Sequence, residues 1–218
     1  MRGYLYIATI FCGLALVHCA HPMPHPQDTA TLNPEATMRC LSIYPSTPVR
    51  AVHKIDATLP YNGYASFIGV TELFPLANRI KVVLLSVEGV VLFDAEFQGS
   101  ETKINIALSP LNHEDFIQGL LGDIRFLFLP PTGRVTASQV REDGHCVCAW
   151  SDGVRKTEIQ TGPKAVIRAR PGPKRLAREA VLDHPRPDGL FSEMSLTVKG
   201  VGGYTLTFEL LETEKPSD

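Results

Sequence analysis

The sequence predicts a mainly β fold of the α+β type, with about ten antiparallel strands and one main covering helix. Three observations predict it. From residue 49 onward, most of the chain alternates apolar and polar residues with period two, and each run ends in Gly, Pro, Asn or Asp. One segment near the middle changes to helical spacing. The connections are short, which favours antiparallel neighbours.

The first five predicted strands form a meander. In the first, Ala51 and Ile55 lie on one face and Arg50 and Lys54 on the other, which is typical of a strand with one solvated face. Tight turns such as Pro-Tyr-Asn-Gly and Glu-Gly separate the runs. The predicted strands cover residues 49–59, 64–74, 79–87, 90–97 and 102–108.

A helix is predicted between Pro110 and Pro130. Asn112 can cap it, and acidic residues follow in its first turn. Its intrinsic propensity is lowered by Gly119 and Gly122, so we expect it to depend on packing against the sheet. Its apolar residues recur at intervals of three and four: Phe116, Ile117, Leu120, Leu121 and Ile124.

The second half of the chain returns to period two. A polar connection follows the helix, and the segment around Asp183 and His184 is predicted as a loop. The final strand has the most apolar face, formed by Tyr204, Leu206, Phe208 and Leu210. The predicted strands cover residues 145–150, 154–160, 165–169, 191–199 and 204–211.

Residues 1–18 are predicted to be a signal peptide. Arg2 is followed by an uncharged apolar run from residue 4 to 17, and small or polar residues end it. This run is shorter than the ~20 residues that a membrane-spanning helix needs. The chain is therefore expected to be exported.

Cys19 is a candidate lipid anchor. The stretch Leu16-Val17-His18-Cys19 resembles a bacterial lipobox, in which the cysteine is acylated and the peptide is cut before it. His18 departs from that pattern, because a small residue normally precedes the cysteine. Acylation would place the protein on the periplasmic face of the outer membrane. The alternative is cleavage near Ala20, which would leave it secreted to the periplasm.

Residues 19–44 are predicted to be a flexible tether, and residues 45–213 the folded domain. The tether is rich in Pro and Thr and shows no strand or helix period before about residue 37. His21 and His25 lack a third nearby ligand, so a metal site is not predicted there.

Three cysteines remain in the predicted domain and tether beside Cys19. In an oxidising compartment this number indicates one disulfide and one free thiol, with Cys40 paired to Cys146 or Cys148. In a strand Cys146 and Cys148 project to one face and His145 to the other, so the three do not converge on one metal ion.

No catalytic site or cofactor is predicted. The chain lacks a Gly-x-Ser-x-Gly elbow and a His-Glu-x-x-His helix. His53 is interpreted as a satisfied core histidine, and His113 as part of a helix start. The net charge of −2 gives no reason to expect nucleic-acid binding.

Two surface features suggest a membrane or a partner protein. The stretch from Lys164 to Arg178 carries six basic residues before the first acid, and it either contacts anionic headgroups or is a solvated strand end and loop. The stretch Leu73-Phe74-Pro75-Leu76 places three large apolar residues around a turn. If exposed, Leu73, Phe74 and Leu76 would contact a membrane or partner; otherwise they belong to the core.

The apolar inventory on one side of the meander leaves room for a ligand cavity under the single helix. The candidate lining residues are Phe93, Phe97, Ile104, Ile106, Phe116, Leu120, Ile124, Leu206 and Phe208.

The order of these features resembles a family of bacterial outer-membrane lipoproteins that are similar to the lipoprotein carriers LolA and LolB. The resemblance covers roughly residues 45–211 and rests on Val-Leu-Leu-Ser-Val-Glu-Gly at 83–89, Leu-Phe-Asp-Ala-Glu-Phe-Gln-Gly at 92–99 and the segment 120–130. It implies a strongly curved, incomplete antiparallel barrel with a helix-lined cavity for acyl chains.

The expected function is to bind acyl chains or lipoproteins and assist their transfer to, or insertion in, the outer membrane. The alternative is a non-enzymatic structural or assembly lipoprotein with a filled core, which acts through an envelope protein partner. Fold analogy alone does not choose between them.

Overall fold

A computed structural model of the chain describes residues 32–99, 101–171 and 177–216. The predicted signal peptide, Cys19 and residues 19–31 of the predicted tether lie outside the described residues. Within the described ranges, no helix combines the length and the apolar character needed to cross a membrane.

The described residues form twelve strands and two α-helices. The helices are α1 (Pro34–Leu41) and α2 (Glu114–Phe128). The strands before α2 are β1 (Val49–Leu59), β2 (Gly63–Phe74), β3 (Arg79–Ser86), β4 (Val91–Gln98) and β5 (Glu101–Ala107). Those after it are β6 (Arg134–Val140), β7 (Cys146–Ser151), β8 (Arg155–Gln160), β9 (Ala165–Pro171), β10 (Ala177–Pro185), β11 (Phe191–Lys199) and β12 (Tyr204–Glu214).

All twelve strands belong to one open sheet, in the order β5-β4-β3-β2-β1-β12-β11-β10-β9-β8-β7-β6. The described ladders are antiparallel throughout. The sheet therefore consists of two meanders that join where β1 pairs with β12. This confirms the predicted open, mainly antiparallel architecture with one main helix, although the sheet has twelve strands instead of about ten.

The inner face of the sheet, defined here as the face covered by α1 and α2, forms the core. Burial alternates along the strands, as in β3, where Ile80, Val82 and Leu84 are buried and their neighbours are not. All the large buried residues form one continuous cluster. The most fully buried side chains include Phe93, Phe97, Leu73, Ile80, Ile159, Ile167, Leu182 and Leu196.

A charge ladder crosses the outer face near the ends of β12, β1, β2, β3 and β4. Glu214, Arg50, Glu72, Lys81 and Glu96 are successive cross-strand neighbours, so their signs alternate from strand to strand. Arg50 pairs with Glu214 and lies 3.8 Å from Glu72, and Lys81 is also 3.8 Å from Glu72. Each of these partly exposed pairs contributes at most about 1 kcal/mol, and a shifted register would separate the charges from their partners.

The predicted tether is wrong for residues 33–44, because these residues belong to the folded domain. The Asn33 side chain caps α1 by accepting a hydrogen bond from the Ala36 N–H at 3.1 Å, and Pro34 occupies the first turn. Ala36 and Cys40 are fully buried against β6 and β7. The sequence contains this capping signal, but the prolines around it favour an extended chain, and so the helix was not predicted.

Two strands lie where connections or loops were predicted. β6 replaces the polar connection after α2; its buried Ser138 hydroxyl accepts a hydrogen bond from the Asn33 N–H at 2.7 Å, which offsets burial of a polar residue. β10 replaces the loop around Asp183 and His184, and Arg178 on its inner face interrupts the apolar alternation. The predicted cap Asn112 is also wrong: His113 precedes α2 and makes no side-chain cap bond.

Candidate ligand-binding face

Helix α2 packs on the inner face of the sheet, and its C-terminal half is buried from residue 123 onward except at Arg125. Ile124, Phe126, Leu127 and Phe128 are all buried, and the three consecutive positions 126–128 point in directions that no single helix face holds. The N-terminal half is more open, and Phe116 is exposed there. A helix segment that buries side chains on several faces requires contacts on several sides, and a sheet that curves around it supplies them.

The structure separates the predicted lining residues into three groups. Those buried between sheet and helix are Phe93, Phe97, Ile124 and Phe208, and those partly buried against the core are Leu120 and Leu206. Ile104 and Phe116 are exposed. The prediction that Ile106 lines the cavity is wrong, because Ile106 pairs with Asp94, whose side chain faces outward. A register shift between Asp94 and Ala95 places Ile106 on the outer face of the sheet.

The buried residues of the first group fill the space beneath α2. Phe93 and Phe97 of β4 have almost no accessible surface, and the Arg125 guanidinium lies 5.6 Å from the centre of the Phe97 ring. A pocket among the described residues lies elsewhere, as an open depression at Gln139–Asp143. A ligand at the positions of Phe93 and Phe97 would have to displace side chains or α2 itself.

A polar network pins α2 to the sheet. Arg178 of β10 donates from Nε to Asp123 Oδ1 at 2.6 Å, and the Tyr204 hydroxyl of β12 donates to Asp123 Oδ2. Burial raises the pKa of the Asp123 carboxyl, and the bonds from Tyr204 and Arg178 oppose that rise. Burial, and then the neighbouring Asp123, also raise the pKa of Tyr204.

Gly122 makes room for this network. A Cβ atom at this position would lie 3.2 Å from the Arg178 Nη2, which is tighter than ordinary packing. The sequence pattern did not identify Asp123, Arg178 and Tyr204 as a group. An acid inside the apolar run from Leu120 to Leu129 was the available signal, because a buried carboxylate needs partners.

His53 is buried but unsatisfied, so its interpretation as a satisfied core histidine is wrong. Its exposure is only 2%, and its ring lies 6.0 Å from that of Phe128 and 6.1 Å from that of Phe208. Nε2 has no hydrogen-bond partner among the described residues. Burial lowers the pKa of His53 to about 4, because the apolar surroundings disfavour its charged form.

The cysteines lie under α1, away from α2. Of the two pairings that the sequence leaves open, the structure contains Cys40–Cys148, which closes a separation of 108 residues. Cys146 is the buried free thiol on the same face of β7. The disulfide therefore fastens α1 to the sheet near the β6 edge.

The three apolar residues predicted as membrane or partner contacts differ in their exposure. Leu73 is buried in the core, so its assignment as a contact residue is wrong; β2 turns its side chain to the inner face. Phe74 is partly buried, with the Arg79 guanidinium 3.9 Å above its ring, whereas Leu76 is fully open at the turn.

In the basic stretch, residues 172–176 lie outside the described residues, and three of the described cations pair with acids. Lys164 contacts Asp183, Arg168 contacts Glu158 and Glu179, and Arg178 contacts Asp123. Asp183, His184 and Glu193 also place potential ligand atoms within 4.8 Å of one another. The Lys164 ammonium already supplies a positive charge to Asp183, which accounts for this grouping without a metal.

The fold is similar to that of a LolA superfamily protein from Nitrosomonas europaea whose crystal structure is known. The TM-score is 0.53 at 7% identity, and the match covers 86% of this chain and 95% of that chain. At this identity the likeness establishes the fold alone. No protein-family model matches the chain. No curated protein matches it either.

Stability should fall between pH 6.5 and pH 4 because of His53. Since the folded-state pKa is depressed to about 4, the unfolded chain binds the proton first as pH falls, and the fold loses up to about 3 kcal/mol across this window. His53→Leu should flatten the pH dependence of urea unfolding free energies. The exposed His113→Gln is the control, and equal slopes for wild type and His53→Leu would contradict the assignment.

Asp123→Asn should destabilise the fold by about 3 kcal/mol, because it leaves the Arg178 charge without its counter-ion beneath α2. Urea unfolding followed by circular dichroism measures this. Asp115→Asn, on the exposed first turn of the same helix, should cost well under 1 kcal/mol. Comparable losses in the two variants would show that the network does not hold α2.

Proposed function

We propose that this chain binds acyl chains or acylated proteins on its inner face and assists their transfer to, or insertion in, the outer membrane. The observation that supports this most is α2, a helix whose apolar side chains pack into the concave side of an open sheet. The LolA superfamily protein of similar fold supports a carrier architecture. No catalytic chemistry enters this proposal.

Binding would proceed by exchange of apolar contacts. The N-terminal half of α2, with the exposed Phe116 and the partly buried Leu120, is less enclosed than the C-terminal half and is where an acyl chain gains access. Such a chain would replace side-chain contacts with Phe93 and Phe97 at little net cost, since both environments are apolar.

The network around Asp123 would return α2 to a single position on the sheet after the acyl chain is released. Its three members come from α2, β10 and β12, and their bonds are directional, unlike the apolar contacts around them. Acyl chains need no charged partner, so the specificity of binding would come from the shape of the opened inner face.

The filled core favours a second candidate function. If α2 stays seated, the chain is a structural or assembly protein of the envelope that acts through its surface. The close packing of Phe93, Phe97 and Ile124 is the observation in its favour. It predicts a protein partner in crosslinked envelopes and no bound acyl material.

Bound acyl chains should be recovered from the chain purified after export. Native mass spectrometry should show added lipid mass, and a dansylated fatty acid should bind saturably. Phe116→Glu should weaken binding of this probe about tenfold, or about 1.4 kcal/mol, because it places a charge where the chain enters. Phe116 is already exposed, so the variant is expected to fold.

Gln118→Glu is the matched control, since it adds the same charge at an exposed position of the same helix. Its affinity for the probe should equal that of the wild type. Folded wild-type protein without lipid mass and without saturable binding would exclude the carrier function and favour the second candidate. Equal weakening in both variants would place binding outside the α2 entrance.

We also propose anchorage of the protein to the outer membrane through an acylated Cys19. Cys19→Ser should move the protein from envelopes washed with high salt into the soluble fraction and abolish incorporation of labelled palmitate. Cys12→Ser, which changes the predicted signal but leaves the lipobox-like cysteine, should keep both. Retention of Cys19→Ser in washed envelopes would contradict the anchor.

A further inference from the structure

Large apolar side chains are exposed at the tips of several turns along one edge of the sheet. The turns β1–β2, β3–β4, β7–β8 and β11–β12 lie at this edge, as the antiparallel register requires. We call it the upper rim. Each of these tips carries such a side chain: Tyr61 at 102%, Val87 at 63%, Val154 at 61% and Val201 at 99% exposure.

The lower rim, at the other ends of the strands, is different. Its described turns are mostly charged or polar, with Arg141 to Asp143 between β6 and β7, and Lys164 between β8 and β9. Leu76, at 94% exposure, is the large apolar residue at the tip of its β2–β3 turn. The two rims therefore differ in chemistry although they are built from the same kind of turn.

Basic residues lie at the upper-rim ends of the strands around the β7–β8 and β11–β12 tips. They occupy the first two or last two positions of their strands: Arg134, Arg155, Lys156, Arg170 and Lys199. The described acids at these turns are Glu88 and Asp152, and Asp152 accepts hydrogen bonds from the Val154 and Arg155 N–H groups at 2.9 and 2.6 Å. The described part of this rim is thus apolar at its tips and net positive behind them.

The spacing of the tips favours a bilayer over a protein as the occupant. Neighbouring hairpin tips are two strands apart, or about 10 Å, and polar turn backbone separates them. A protein interface requires a continuous surface of about 800 Å² on each partner. A bilayer interface accepts separate insertions at any spacing, tyrosine favours this zone, and anionic headgroups attract the cations behind it.

We propose that the upper rim docks on an anionic lipid surface, with Tyr61 and Val201 inserted and the basic strand ends against headgroups. This surface is distinct from the inner face, and the proposal does not depend on whether the inner face holds acyl chains. Docking by the rim is reversible and salt-sensitive, unlike a covalent anchor.

Vesicle co-sedimentation tests the proposal with the chain from residue 20 onward, which lacks the predicted signal and Cys19. Every described element lies after residue 32, so this chain retains all the described contacts. It should bind vesicles of phosphatidylcholine mixed with phosphatidylglycerol, and added salt or omission of phosphatidylglycerol should reduce binding. Equal binding to pure phosphatidylcholine would overturn the anionic requirement.

The double variant Tyr61→Asn with Val201→Ser should lower the partition coefficient about tenfold, because it removes both inserted side chains. Asn suits position 61, where φ is 61°, so the turn is preserved. Leu76→Ser removes an equally exposed side chain from the lower rim and should leave binding unchanged.

Undiminished binding of the double variant would overturn the proposal, and so would an equal loss in Leu76→Ser. Phe116→Glu separates this proposal from acyl binding on the inner face, since it should retain vesicle binding even where the fatty-acid probe no longer binds. Loss of vesicle binding in Phe116→Glu, with the rim variant unaffected, would assign membrane contact to α2 instead.

Discussion

The strands that precede and follow α2 form opposite edges of the same sheet, so the chain between them has to cross it. β5 ends one meander and β6 begins the other, and the pairing of β1 with β12 keeps these edges eleven strand positions apart. The crossing segment is α2, and it runs over the face where the apolar side chains collect. One connection therefore both completes the topology and shields the core.

Of two buried polar groups on the inner face, one has hydrogen-bond partners and the other lacks one. Asp123 has two partners and thereby fixes one seating of α2, while His53 has none for Nε2 and sits between aromatic rings. Burying an unsatisfied nitrogen costs about 1–3 kcal/mol, so the fold tolerates this loss close to the end of α2. Apolar contacts dominate the rest of the interface, and in the proposed function these are the contacts that an acyl chain would replace.

The two edge strands of the sheet, β6 and β5, differ in how far other parts of the chain cover them. At the β6 edge, the chain at Leu32 and Asn33 meets Ser138, and α1 is fastened by the Cys40–Cys148 disulfide. A crosslink that closes so long a loop stabilises the fold chiefly by restricting the unfolded chain. At the other edge β5 is exposed along most of its length, with charged residues among its isoleucines that oppose edge-to-edge pairing. Rigidity is thus concentrated on the side away from the exposed start of α2.

Local pattern by itself determined the strands β1 to β5, the helix α2 and the shared face of Cys146 and Cys148, because period and turn chemistry act over a few residues. The tertiary structure decided what depends on distant partners. Asp123 meets Arg178 and Tyr204 across 55 and 81 residues, and Cys40 reaches Cys148 across 108. β10 was not predicted, because Arg178 interrupts the apolar alternation on its inner face. Arg178 is accommodated there only because it pairs with the distant Asp123 carboxylate. The filling of the inner face was likewise settled only by packing, since a one-sided apolar pattern is equally compatible with a cavity or a core.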